Sequence, residues 1–258
     1  MQSDHQFAGQ VPRITSTLGK SHAASPRASS TSPISSPQIL EQVVVAFQKR
    51  PDVANVLHGQ RRIRQGGKGR RTALFSSIKS GGAVPVESRL ELAHAVTLER
   101  TSHVTRFRTQ ALCIPLTGRH VAYPDFLVEV ASGMFEVHEI KPSIAHLSSD
   151  DAQRFAHIER ILNRVGIEFR LIDATSLASG RALEEALLSY TRGHAERYSP
   201  SQISLAQEVL ASKSFAWFSD AYQLLASHHL PPCLADYLDF HGKWSSPPRT
   251  NASRRGRA

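Results

Sequence analysis

Apolar residues recur at helical spacing in some stretches of this chain and alternate with polar ones in others. Ile39, Val43 and Phe47 fall at i, i+4 and i+8, which predicts a short helix over Ile39–Gln48. Pro85, followed by Glu87 and Ser88, reads as a helix start with acids in its first turn, and Leu90, Ala93 and Thr97 share one face of that helix. Extended stretches follow at His103–Arg108, Gln110–Leu116, His120–Val130 and Phe135–Lys141. Thr117-Gly118-Arg119 and Ala131-Ser132-Gly133 form turns between them, and Pro142 ends the last one. Phe155, Ile158, Ile161, Leu162 and Val165 predict a helix from Asp150 to Val165, stopped by Gly166, before a strand at Ile167–Ile172. That order of helix, antiparallel strands, helix and strand implies a mixed α/β core. From about residue 180 the pattern is helical, with candidates at Arg181–Tyr190, Pro200–Ser212, Phe215–Ser227 and Pro232–Phe240. No internal repeat is visible.

Composition divides the chain further. Residues 1–37 are rich in Ser and Pro and read as a disordered tail, residues 38–82 as a basic arm, 83–178 as the α/β domain, 179–244 as a helical C-terminal domain, and 245–258 as a second disordered tail. The 258 residues suffice for one large domain or two small ones. No apolar run approaches the roughly 18–20 residues of a membrane span, and no apolar signal core opens the chain, so a membrane partner is not expected. Two cysteines outside any C-x-x-C pair argue against a disulfide framework and fit a cytoplasmic compartment.

Charge changes the picture more. The formal net charge is +9, yet residues 81–258 carry nineteen charges of each sign. Residues 49–80 hold nine basic residues (Lys49, Arg50, Arg61, Arg62, Arg64, Lys68, Arg70, Arg71 and Lys79) against Asp52. A concentrated basic segment beside a neutral body points to a polyanion, and double-stranded DNA is the expected partner.

The stretch that carries chemistry is Tyr123-Pro124-Asp125-Phe126-Leu127-Val128, followed by Glu139-Ile140-Lys141. A hairpin turning at Ser132 pairs position 125 with position 139, so Asp125 and Glu139 become cross-strand neighbours. Lys141 lies two residues on and shares the face of Glu139. Two carboxylates so close repel unless a cation lies between them. Mg²⁺, or Mn²⁺ in its place, is held by such carboxylates and activates water against a phosphodiester, while a nearby lysine orients that water. Alone, this spacing also fits a solvated hairpin face with a cross-strand salt bridge. Apolar neighbours (Phe126, Leu127, Val128, Val137 and Ile140) and an upstream helix bearing Glu87 and Glu91 favour a site.

Together with Ser77-Ile78-Lys79, Glu87-Ser88-Arg89-Leu90-Glu91, Gln110 and Glu139-Ile140-Lys141-Pro142, the stretch resembles the PD-(D/E)xK nuclease superfamily. Within it, the chain is similar to the TnsA family of heteromeric transposase endonuclease subunits, over about residues 66–172. Ala111 stands where the family often has proline after its glutamine. The resemblance implies a restriction-endonuclease-like mixed sheet flanked by helices, followed by a small winged-helix-like C-terminal domain. It implies catalytic Glu91, Asp125, Glu139 and Lys141, with Glu91, Asp125 and Glu139 as metal ligands. Glu87 is then a capping or structural acid and Gln110 an accessory residue, although Glu87 and Glu91 can exchange these roles. The implied reaction is hydrolysis of one strand at each 5′ end of a transposon in a bacterial, nucleoid-associated assembly. The implied partners are a DDE-type transposase and an ATP-binding regulator. A stand-alone repair or restriction nuclease and a non-catalytic DNA-binding assembly module are the alternatives.

Three other features carry less. His228-His229, Cys233 and His241 fit no common zinc spacing, Gly66-Gly67-Lys68-Gly69 lacks the spacing of a phosphate-binding loop, and Phe215, Trp217 and Phe218 read as core. His138 is expected on the face of its strand opposite Glu139.

Overall fold

Phe126, Leu127 and Val128 are consecutive and essentially inaccessible, so the strand that holds them is covered on both faces. The computed structural model describes residues 36–48, 50, 51, 60, 72–118 and 120–249, which form one compact unit. Its elements are α1 (Ser36–Gln48), β1 (Ala73–Ser77), β2 (Gly82–Val86), α2 (Arg89–Arg100), β3 (Val104–Thr109), β4 (Ile114–Pro115), β5 (Val121–Ala122), β6 (Phe126–Val130), β7 (Phe135–Lys141), α3 (Ser149–Asn163) and β8 (Glu168–Asp173). After a short 3₁₀ turn come α4 (Gly180–Gly193), α5 (Pro200–Ala211), α6 (Phe218–Ser227) and α7 (Leu234–Phe240). The fold is mixed α/β, and none of the described helices is long and apolar enough to cross a membrane.

The central sheet has the order β3-β6-β7-β8. Its first three strands are antiparallel, and β8 runs parallel to β7. A parallel return needs a crossover, which α3 supplies. Alternation along the strands sends Phe126, Val128 and Ile140 into one core with α2, and Leu127 and Val137 into another with α1 and α3. The two cores together fix the sheet between helical layers.

Several boundaries differ from those the sequence suggests. Pro85 lies in β2, where it pairs with Leu74 in a two-stranded ribbon, and α2 starts only after Ser88. A proline is tolerated in such a ribbon because it has no inner ladder to supply. The stretch from Gln110 to Leu116 is extended as a strand only at Ile114–Pro115, and the stretch from His120 to Val130 is broken at Tyr123-Pro124-Asp125. The segment assigned to a basic arm contributes to the core at both ends. Ile39 and Val43 of α1 are buried, and the Gln42 amide donates to Cys113 O (3.3 Å) and accepts from Cys113 N–H (2.7 Å), docking the helix as an extra strand would. Phe75 and Ser77 of β1 are buried as well.

The C-terminal helices build their own cluster around Leu210, Phe218, Leu225, Leu234 and Leu238. They are not cleanly separate from the sheet layer, because Leu183 and Tyr190 of α4 and Phe240 of α7 enter the α2 core. At Gly193 a Cβ would stand 2.5 Å from Tyr237 N, so α4 and α7 meet backbone to backbone at a position only glycine allows. No strand occurs beyond Asp173 among the described residues, so the expected wing is not found there. Ser245–Arg249 is not a disordered tail. Phe218 N–H donates to Pro248 O at 3.2 Å, and Arg249 pairs with Asp236 and Asp239 at 2.8 and 3.0 Å.

Candidate active site

The last paired residues of the β6–β7 hairpin are Phe126 and His138, so one further step of that register sets Asp125 against Glu139. The ladder stops there because Pro124 and the bend at Asp125 leave the strand. The Asp125 side chain replaces the lost rung: its Oδ2 accepts from Ile140 N–H at 2.8 Å. On β7, Lys141 Nζ lies 2.8 Å from Glu139 Oε1, which puts both residues on one face as their spacing requires. The ammonium also sits 5.1 Å from the centroid of the Phe155 ring on α3.

Glu91 enters from the first turn of α2. Ser88 caps that helix by accepting from Glu91 N–H at 3.1 Å. The Glu91 carboxylate accepts in return from Ser88 Oγ–H (2.9 Å) and from Glu87 N–H (2.8 Å). The capping role therefore belongs to Glu91 rather than to Glu87. The Glu87 carboxylate instead accepts from Gln110 Nε2–H at 3.1 Å.

Gln110 is placed by strain as well as by bonding. Its φ of 48° lies in the left-handed region that non-glycine residues seldom occupy. Its N–H donates to Asp125 O at 2.9 Å. One residue thus ties the loop before β6 to the turn before α2, and so brings Asp125 towards Glu87 and Glu91.

The carboxylates repel one another. Burial, then the charges of Glu139 and Glu91, push the Asp125 carboxyl up to about 8. Burial is also the main cause that raises Glu91, with Glu87 and Glu139 adding to it. These oxygens are hard donors of the kind Mg²⁺ and Mn²⁺ prefer, and a cation between them would remove the repulsion. The donor chemistry therefore fits such an ion. The carboxylates do not form a closed cage, since no three His, Cys, Asp or Glu groups among the described residues are already grouped to hold a metal.

Beneath this cluster runs a buried polar chain that sequence reasoning did not find. His138 turns away from Glu139, and its Nδ1 lies 2.9 Å from Nε2 of His94 on α2. His138 Nε2 lies 2.8 Å from Glu136 Oε2, and Glu136 Oε1 lies 3.1 Å from Arg170 on β8. Burial presses His94 down to about 3 and lowers His138 too, against the pull of the Glu136 carboxylate. His94 Nδ1 is buried with no partner among the described residues. The signal in the sequence was slight: His94 lies three residues after Glu91 and His138 immediately before Glu139.

Of the residues expected to bind DNA, Arg61, Arg62, Arg64, Lys68, Arg70 and Arg71 lie outside the described residues. Lys79 is described, and its ammonium donates to Leu98 O at 2.9 Å and to Thr101 O, closing the C-terminus of α2. Within the fold, the Lys79 ammonium is engaged with the end of α2. The rest of its motif is structural too: the Glu99 carboxylate accepts from Ser77 Oγ–H (2.6 Å), Ile78 N–H (3.1 Å) and Lys79 N–H (3.2 Å).

No protein-family model matches the chain, and no curated protein is significantly similar to it in sequence. The functional reading therefore rests on the residues themselves.

Proposed function

We propose that the protein is a Mg²⁺-dependent DNA endonuclease with a restriction-endonuclease-like core, acting as a TnsA-like subunit of a heteromeric transposase. The observation that carries this reading is the convergence of Asp125, Glu139, Lys141 and Glu91 at one end of the inner β6–β7 pair, where the carboxylates perturb one another. The order α2, antiparallel strands, α3, parallel strand supports the same fold.

In this reading Asp125, Glu139 and Glu91 would hold the metal. The ion supplies charge stabilisation for a phosphodiester and lowers the pKa of a bound water. Lys141, fixed by Glu139 and resting near the Phe155 ring, keeps a cation where the attacked phosphate gains charge. Gln110 holds the Asp125 loop, and the His94–His138 pair joins the helix bearing Glu91 to the strand bearing Glu139.

A second reading, a non-catalytic DNA-binding assembly module, is favoured by the open ligand set and by the Glu139–Lys141 pair, which satisfies both charges without a metal. Strand scission distinguishes the two. In Mg²⁺ or Mn²⁺ the full chain, reconstituted with the transposase and ATPase it serves, is expected to cut duplex DNA. Asp125→Asn is expected to cut about a hundredfold more slowly or worse while binding DNA normally. Cutting by Asp125→Asn at the wild-type rate would overturn the assignment.

A further inference from the structure

Beside the candidate active site lies a cleft of about 500 Å³ that Glu91, Asp125, Glu139 and Lys141 do not line. One wall is the β4–β5 turn, with Thr117 and His120. The other is α3, with Gln153, Arg154, His157 and Arg160. On a helix these four fall within two turns of one side, over about 10 Å at 1.5 Å per residue.

The cleft connects to Lys141 through a single ring. Arg154 Cζ stands 4.7 Å from the Phe155 centroid and Lys141 Nζ stands 5.1 Å from it, so the two cations are at most 9.8 Å apart by addition of those distances. Phe155 itself is buried and packs near Phe169, which makes it a rigid divider. Arg160 forms no ion pair among the described residues. Its Nε donates to Ala156 O at 3.2 Å, and one terminal nitrogen lies 3.5 Å from His157 Nδ1. Arg154 pairs with Asp151 at 3.0 Å, but both side chains are over 40% exposed, and such a pair is weak enough for a phosphate to displace. Asp150 is the only acid in the cleft lining. Donors of this type, two guanidiniums with an amide and a hydroxyl, contact phosphate oxygens without reading bases.

We propose that this cleft holds the phosphodiester backbone of the DNA strand flanking the attacked phosphate, with Arg154 and Arg160 each contacting a phosphate. The proposal rests on the nuclease reading above and adds a contact surface distinct from the basic segment at residues 61–71. It makes α3 a backbone guide: Arg154, within 9.8 Å of Lys141, and Arg160, about two turns further along the helix side, hold the strand next to the attacked phosphate.

The test separates binding from cutting. A fluorescein-labelled DNA duplex is titrated with the metal-free full chain across a salt series, and the slope of log K against log salt is read. The Arg154→Gln/Arg160→Gln variant is expected to lose about two units of slope, because each phosphate contact contributes roughly 0.9. Its melting temperature should stay within a degree or two of wild type, and Arg197→Gln, on the helical C-terminal part, should keep the full slope. An unchanged slope in the double variant overturns the cleft assignment and leaves the nuclease reading intact, since the wild type still binds. Absence of DNA binding by the wild type at every salt overturns both.

Discussion

At the residue scale the site is defined by charges that the fold brings together against their preference. Burial, with the charges of Glu139 and Glu91 adding to it, raises the Asp125 carboxyl to about 8. The direction of the resulting pH effect follows from linkage. A carboxyl whose folded pKa lies above its unfolded value near 4 keeps its proton better in the native state. Its contribution to stability is therefore full below about pH 4 and is lost as the pH rises through about 8. Thermal unfolding of the metal-free protein is expected to show falling stability over that window. Asn at position 125 cannot ionise, so Asp125→Asn should flatten the fall and melt higher than wild type at pH 8. A variant that melts lower at pH 8 than at pH 5 by as much as wild type would count against this. The juxtaposition of Asp125, Glu139 and Lys141 was legible from spacing, because the period of two and the turn at Ser132 determine their register, whereas spacing alone did not distinguish a site from a salt-bridged hairpin face. That Glu91 rather than Glu87 makes the capping contacts was not legible, since both lie at the start of α2 and only side-chain rotamers distinguish them.

At the element scale, α2 and β7 matter most, because they carry the helix acid and the E-x-K pair. Their buried connection is the His94–His138 contact at 2.9 Å. His94 also packs edge-on against Phe126, with ring centroids 5.1 Å apart. Replacing His94 with Ala removes a hydrogen bond, leaves His138 half-satisfied and opens a cavity. A loss of about 2–4 kcal/mol in chemical denaturation is expected. His94→Gln, which keeps a polar group on the same helix turn, should recover part of it. A neutral His94→Ala would mean that other contacts hold α2 to the sheet. Long amphipathic elements were well placed by pattern: α3 and α5 match their expected ranges to within two residues. Short ones were not. The β4 and β5 strands are two residues each, and their extent is decided by the kinked Gln110 and by Pro124, which periodicity does not register.

At the scale of the whole molecule, the composition-based division was too sharp. The helix α1 and strand β1 belong to the packed body, although charge placed them in an arm. Arg249, close to the C-terminus, enters a buried cluster with Asp236, Asp239 and Ser189 and lies 3.7 Å from the Phe218 centroid. Local composition misses such joins because they depend on residues far apart in the chain that tertiary packing brings together. The same integration gives the candidate site its rigidity: its acids come from the start of α2, the end of a loop and the end of a strand, and each is held by a different part of the core.

A metal at these carboxylates is the claim on which the rest depends. The most direct measurement is calorimetric titration of Mn²⁺ into the full chain, with duplex DNA present and absent, beside the Asp125→Asn/Glu139→Gln variant. Wild type should bind the ion, more tightly with DNA, and with affinity rising towards pH 8 as Asp125 loses its proton. The variant should bind at least about tenfold more weakly while melting as a folded protein. Equal binding by the two proteins, or none by wild type with DNA present, would contradict a metal-dependent nuclease and leave the carboxylates a structural cluster.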